Sequence, residues 1–373
     1  MKKLIALLTL TALTVMTFGP VLTLATDGIN TSLIKGSGGG QPPIVKAKWE
    51  MKKGTQGADD KPTAYAQFNA PGVWDGIMEY TVCAIVTDPN GASDIYGVYA
   101  DILYPGGIAI HAVNPLDDRL PQDVGVGGCG AFIEENTLVK LSKDAGYQLF
   151  CEDIKNNNNN LPAIYSPYSY SDICGPTGEL QKEEAYVYCD DKDLIWEDPA
   201  GSYKVVVTAL DKSGNLSVAR ENTFEYLALT KYEVDFTSVA YGDVMLNTHK
   251  KISGDRNFIL GDGNPTVRNL GNTRLNMKVA QDDMGLGQSS GVWNVKYDAR
   301  VGNYAGDWSD YWPFKFKSGP EAPVYKTLQE ILDLSETEEM DFSILITKWP
   351  DTNTSYTGTI WLSAALASFR TCE

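Results

Sequence analysis

Val292-Trp-Asn-Val-Lys-Tyr-Asp-Ala-Arg-Val301 is the stretch whose reading decides the fold. Trp293, Val295, Tyr297, Ala299 and Val301 fall on one side of an extended chain. Asn294, Lys296, Asp298 and Arg300 fall on the other. Such alternation marks a strand with one buried and one wet face, which belongs to an antiparallel sheet rather than a βαβ core. Arg274 to Val279 repeats the pattern with Leu275, Met277 and Val279 inward. Met340, Phe342, Ile344 and Ile346 alternate with Asp341, Ser343 and Thr347, and Tyr356 to Ser363 reads as a last strand. In the stretch after Leu227, only Thr327 to Leu334 reads as a helical turn or two.

Working back toward the N-terminus, Tyr203, Val205, Val207 and Ala209 share one face of another strand, which Asp211-Lys-Ser-Gly-Asn215 closes with turn chemistry. Tyr80 to Val86 ends at Asp88-Pro-Asn-Gly91, and Ile95 to Tyr104 stops at Pro105-Gly-Gly107. These two read as neighbouring strands of a sheet. From about 108 to 195 periodicity breaks down, although Lys143 to Ile154 reads as a short helix closed by asparagines at 156–160 and Pro162. The fold class expected is all-β: two antiparallel Ig-like β-sandwich domains, the first with a cysteine-rich irregular insertion. The expected boundaries are 44–226, with the insertion at about 108–195, and 227–373.

Ahead of the strands, Lys2 and Lys3 precede an apolar run from Leu4 to Phe18, and Thr23-Leu-Ala25 offers small residues where a signal peptidase would cut. Residues 1–25 therefore read as a signal peptide. No apolar run of similar length follows, so no transmembrane span is expected after cleavage. Residues 26–43 contain Gly-Ser-Gly-Gly-Gly at 36–40 and read as a flexible tether. The expected location is secreted, extracellular or at the cell surface.

The net charge of −17 becomes −19 when Lys2 and Lys3 leave with the signal. An acidic surface repels nucleic acid, which is excluded as a partner. The mature length of about 348 residues suits two domains. Six cysteines in an exported chain favour disulfides. The candidates are Cys129, Cys151, Cys174 and Cys189, with Cys83 and Cys372 left as a remainder. No CxxC pair exists, and His111 and His249 lie far from any cysteine cluster, so a zinc site is disfavoured.

Several phrases carry a resemblance. Ala209-Leu-Asp-Lys-Ser-Gly-Asn215 resembles the hairpin near the end of many prokaryotic Ig-like domains. Thr266-Val-Arg-Asn-Leu-Gly-Asn-Thr273 resembles the strand-turn phrase of secreted sandwich domains, among them the group similar to TasA-type matrix proteins. Ser355-Tyr-Thr-Gly-Thr-Ile-Trp-Leu-Ser363 fits the final hairpin of that type. Pro43-Ile-Val-Lys-Ala-Lys-Trp49 after a Gly-rich tether resembles surface proteins of methanogen-type archaea. The resemblance implies a structural or adhesive role and brings no catalytic residues.

For catalysis, neither histidine lies in a nucleophile or zinc motif. The carboxylate doublets Asp190-Asp191, Glu197-Asp198 and Asp282-Asp283 carry no spacing signal for glycosidic chemistry. The expectation is a non-enzyme without cofactor, calcium being the one ion its loops suit. The calcium candidates are Asp88, Asn90 and Asp94 in one loop and Asp255 and Asp262 in another, weighed against simple Asx turns.

Tyr165, Tyr168, Tyr170, Trp308, Tyr311 and Trp312 are candidate sugar-stacking rings, weighed against rim packing. Asn30, Asn215 and Asn353 are glycosylation acceptors. The function expected is a self-assembling envelope, matrix or filament subunit, or one that associates with other surface proteins. In this reading Thr26 to Trp49 supplies a strand to the next subunit. An extracellular carbohydrate-binding module is the alternative.

Overall fold

The computed structural model describes residues 40–54, 66–105, 135–157, 161–302, 308–314, 323–350 and 355–368. The fold is all-β. In the first half the strands are β1 (Ile44–Lys52), β2 (Gln67–Asn69), β3 (Ile77–Thr87), β4 (Ile95–Leu103), β5 (Glu135–Thr137), β6 (Val139–Lys140), β7 (Ala185–Ile195), β8 (Gly201–Asp211) and β9 (Arg220–Leu227). They make two sheets, ordered β1-β3-β7-β6 and β2-β9-β8-β4-β5, antiparallel except for the short β2–β9 pair. Alternate residues of both sheets, among them Val82, Ala84, Val98, Ala100, Tyr203, Val205 and Phe224, interdigitate in one core.

This arrangement corrects the expectation that Tyr80–Val86 and Ile95–Tyr104 are neighbours in a sheet. The chain from β3 to β4 crosses between the sheets, so the two strands meet face to face through Val82, Ala84, Val98 and Ala100.

The outer face of the β1-β3-β7 sheet is also covered. Between β6 and β7 the chain forms α1 (Lys143–Tyr147), a π-helical stretch Gln148–Ile154, α2 (Lys155–Asn157), α3 (Tyr170–Cys174) and α4 (Glu179–Lys182). Phe150, Ile154, Ile173 and Leu180 bury Ala47, Trp49, Ile85 and Val187 in a second core, with the Trp49 and Phe150 rings 5.2 Å apart. β1 is consequently buried along almost its whole length, and Lys48 and Glu50 are buried as a 2.7 Å ion pair bonded to Asn222.

One disulfide joins two strands of the sheet and the other joins two helical segments of the covering layer. Cys83 pairs with Cys189 at directly opposed positions of β3 and β7, and Cys151 pairs with Cys174. Cys83 is therefore no remainder, because strand pairing places it opposite Cys189. Cys129 and Cys372 lie outside the described residues. The irregular segment also ends earlier than 195. β7 is an eleven-residue central strand, disguised in sequence by the charged run Asp190-Asp-Lys-Asp193 at its far end.

The second half contains β10 (Tyr232–Val234), β11 (Lys250–Ile252), β12 (Thr266–Asn269), β13 (Arg274–Gln281), β14 (Gln288–Ser289), β15 (Val292–Trp293), β16 (Val295–Val301), β17 (Ser309–Tyr311), β18 (Lys326–Leu332), β19 (Thr337–Ile346) and β20 (Ile360–Ser368). One sheet runs β10-β12-β19-β16-β17, with β11 also on β19, and faces a three-stranded sheet β18-β13-β20. Val295, Tyr297, Ala299, Leu275, Met277, Val279, Phe342 and Ile344 fill the space between them. No sheet draws strands from both halves among the described residues.

Thr327–Leu334 is not helical. It contributes β18, paired antiparallel with β13 across an irregularity between Asn276 and Lys278. Leu328 and Leu332 both point inward, as residues four apart do on one face of a strand, and a helix face shows the same spacing. β19 also departs from the expected wet face: Asp341 and Ser343 are buried, because Arg300 and the Gly254 backbone N–H both bond the Asp341 carboxylate.

Candidate binding groove and acidic cluster

The sheet β18-β13-β20 ends in β20, whose outer edge has no strand partner among the described residues. β20 reads Ile-Trp-Leu-Ser-Ala-Ala-Leu-Ala-Ser, and all nine residues are at least partly exposed. Ile360, Leu362 and Ala364 turn toward the core. Beside this edge the two sheets part to leave a groove of about 1130 Å³ lined by Phe236, Tyr241, Ile344, Trp349, Tyr356 and Leu362 among others. Trp349 and Tyr356 stack at 5.4 Å on one wall. At the floor Gln281 accepts hydrogen bonds from the Tyr241 and Tyr311 hydroxyls, each 3.3 Å, and burial pushes the Tyr241 pKa up.

The wall is fixed by Asp282, whose carboxylate accepts the Thr359 and Met284 backbone N–H groups at 3.0 and 3.1 Å. A Cβ on Gly358 would lie 2.0 Å from Asp282 Oδ1, so only glycine allows that approach. The Asp282 of the expected doublet is thus a backbone clamp. Asp198 has a similar part: it accepts from Tyr104 Oη and Ile195 N, both at 2.8 Å, and burial raises its pKa to about 6.

A second constellation lies at one end of the first sandwich. Asp88 follows β3, Asp94 ends the 3-10 turn that leads into β4, and Asp211 closes β8. One carboxylate oxygen from each lies within 4.8 Å of the other two. Asp211 was not among the calcium candidates; it lies far along the chain, and its signal was the turn phrase Asp211 to Asn215. Asn90 instead serves the loop, its N–H donating to Asp88 Oδ1 at 2.7 Å. Asp255 and Asp262 follow the Asx-turn alternative: they accept the backbone N–H groups of Asn257 and Asn264, two residues on, at 2.8 and 2.9 Å.

The aromatic candidates do not form one platform. Tyr170 stacks on Phe150 at 5.4 Å, Tyr168 faces Lys46 and Tyr165 faces Arg220. In the second half Tyr311 is buried in the core and Trp308 packs against Lys251 and Arg300, while Trp312 is 54% exposed. Asn215 Nδ2, the atom a glycan would take, donates to Asp211 Oδ2 and Gly40 O. Asn30 and Asn353 lie outside the described residues.

No family model and no curated protein matches the chain. Among solved structures it is similar to the C-terminal domain of the Streptococcus pyogenes antigen I/II-family protein AspA. That match has 12% identity and a TM-score of 0.23, covering 86% of this chain and 95% of that one. It is also similar to a chaperone–tip adhesin complex of CFA/I fimbriae, at 9% identity and a TM-score of 0.26, covering 88% and 92%. Similarity this low assigns neither a family nor an activity. Among the described residues no helix is long and apolar enough to cross a membrane.

Proposed function

We propose that this chain is a non-catalytic secreted or cell-surface protein with a structural or adhesive role, working through strand addition at β20. The observation that carries the reading is the nine-residue apolar edge beside the groove, which pairs with no further strand among the described residues. Long apolar edges are normally blunted by charge, proline or a covering element, and β20 has neither proline nor a charged residue. The two disulfides fit an oxidising compartment.

The occupant is the N-terminal segment of a second copy. The donor cannot extend to Trp49, since residues 44–52 are consumed as β1 in their own sheet. Residues 26–43 remain, and within them Ile29, Thr31 and Leu33 alternate as a groove-filling strand requires. The fourteen residues of 26–39 span about 46 Å when extended, more than the roughly 30 Å of β20.

Deleting 26–43 should leave a folded monomer that neither polymerises nor pairs, by light scattering and negative-stain microscopy. A synthetic 26–43 peptide should bind that monomer. Normal assembly of the deletion variant would refute the mechanism.

A further inference from the structure

We propose that Asp88, Asp94 and Asp211 form a divalent-cation site, for Ca²⁺, that joins the ends of β3 and β8 where the N-terminal chain enters the first sandwich. Three carboxylates converge to within 4.8 Å. Among the described residues none has an ion-pair partner; the nearby Lys212 donates its Nζ to Ser93 O instead. Asp88 and Asp211 are 4% and 1% exposed.

The decisive atom is Asp88 Oδ2. It is buried and has no hydrogen-bond partner, while Oδ1 of the same group accepts from Asn90 N at 2.7 Å. A carboxylate oxygen removed from water without a donor is costly, and beside two further carboxylates a neutral donor would not cancel the charge. A hard cation satisfies both requirements, and carboxylate oxygens presented by loops match calcium's ligand preference. The Asp211 carboxylate is already oriented, because Asn215 N and Nδ2 each donate to it at 2.7 Å and fix its plane.

The two asparagines also reach the incoming chain. Asn90 Nδ2 donates to Gln41 O at 3.0 Å, and Asn215 Nδ2 donates to Gly40 O at 3.3 Å. An ion holding the 88–94 and 211–215 loops together therefore also steadies the base from which the tether leaves. None of these residues lines the groove, so cation binding and strand addition are separable by mutation.

The test uses the mature chain stripped with EDTA and titrated with CaCl₂, read by calorimetry and thermal melting. Calcium should raise the melting temperature, and Asp88→Asn and Asp211→Asn should each weaken binding by roughly tenfold or more. Both variants should keep the far-UV circular dichroism of the stripped parent, which separates ligand loss from misfolding. Asp255→Asn should bind as the parent does. A melting temperature indifferent to calcium, or binding that survives both cluster substitutions, would overturn the site.

Discussion

Replacing Cys83 and Cys189 together by alanine, and separately Cys151 and Cys174, compares two bridges of very different span within one sandwich. The first closes 106 residues and the second 23. Loop-closure entropy scales with the logarithm of that span and gives about 4.8 kcal/mol for the first and about 3.4 kcal/mol for the second. All four cysteines face the same core between the sheet and the helical layer, so the lost packing is similar in kind for both pairs. The expected difference is therefore about 1.4 kcal/mol, with the Cys83–Cys189 variant the weaker. Equilibrium urea unfolding of both variants at one pH, followed by tryptophan emission, measures it. If the short bridge costs more, or the two cost the same, chain entropy is not what these bridges supply. Residual pairing of the β3 and β7 segments in the unfolded chain would then already supply that restraint.

Further outcomes follow from buried groups. Asp198 has a folded pKa raised to about 6, so its contribution to stability is present below about pH 4 and lost as pH rises through 6. Asp198→Asn should flatten the pH dependence of the melting temperature between about 4 and 6, a loss of up to about 3 kcal/mol; an unchanged profile would show that Asp198 is not the titrating group. Trp49→Ala should cost about 3–5 kcal/mol, because a fully buried ring packed on Phe150 leaves a cavity between sheet and helices; a loss under about 1 kcal/mol in urea would mean that the helical layer collapses onto the gap. Glu50→Ala strands the buried Lys48 ammonium and should cost about 3–5 kcal/mol, whereas Lys48→Met with Glu50→Met should be much milder. Equal losses in the single and double variants would refute the ion-pair account.

Strands with one packed and one polar face were legible in the sequence. β8, β13 and β16 alternate without interruption over most of their length, and their inward residues are the ones buried. Misreadings arose where a strand's pattern was ambiguous: Leu328 and Leu332 are four apart, a spacing shared by strand and helix faces, and β7 turns a charged residue, Lys192, to its buried face against Asp190. Nor could the spacing of residues 80–104 show whether two strands lie side by side or face to face. The loop residues Asp88 and Asp94 were readable as oxygen donors, but Asp211 joins them only because β4 and β8 are paired. The groove left no sequence signature, since its walls combine strand residues such as Ile344 and Leu362 with loop residues far apart in the chain, such as Phe236, Tyr241, Trp349 and Tyr356.

The placement of β1 has a consequence for synthesis. It is among the first strands made, yet its hydrogen-bonding partner β3 is completed as a sheet only by β7, and the helical layer that covers Trp49 precedes β7 directly. At ordinary elongation rates of about 5–20 residues per second, roughly 7–29 s separate residue 52 from residue 195. Until the covering helices emerge within that interval, Ala47 and Trp49 lack the layer that buries them, so a newly made Ile44–Lys52 calls for a holdase, or a translocation channel, to shield it.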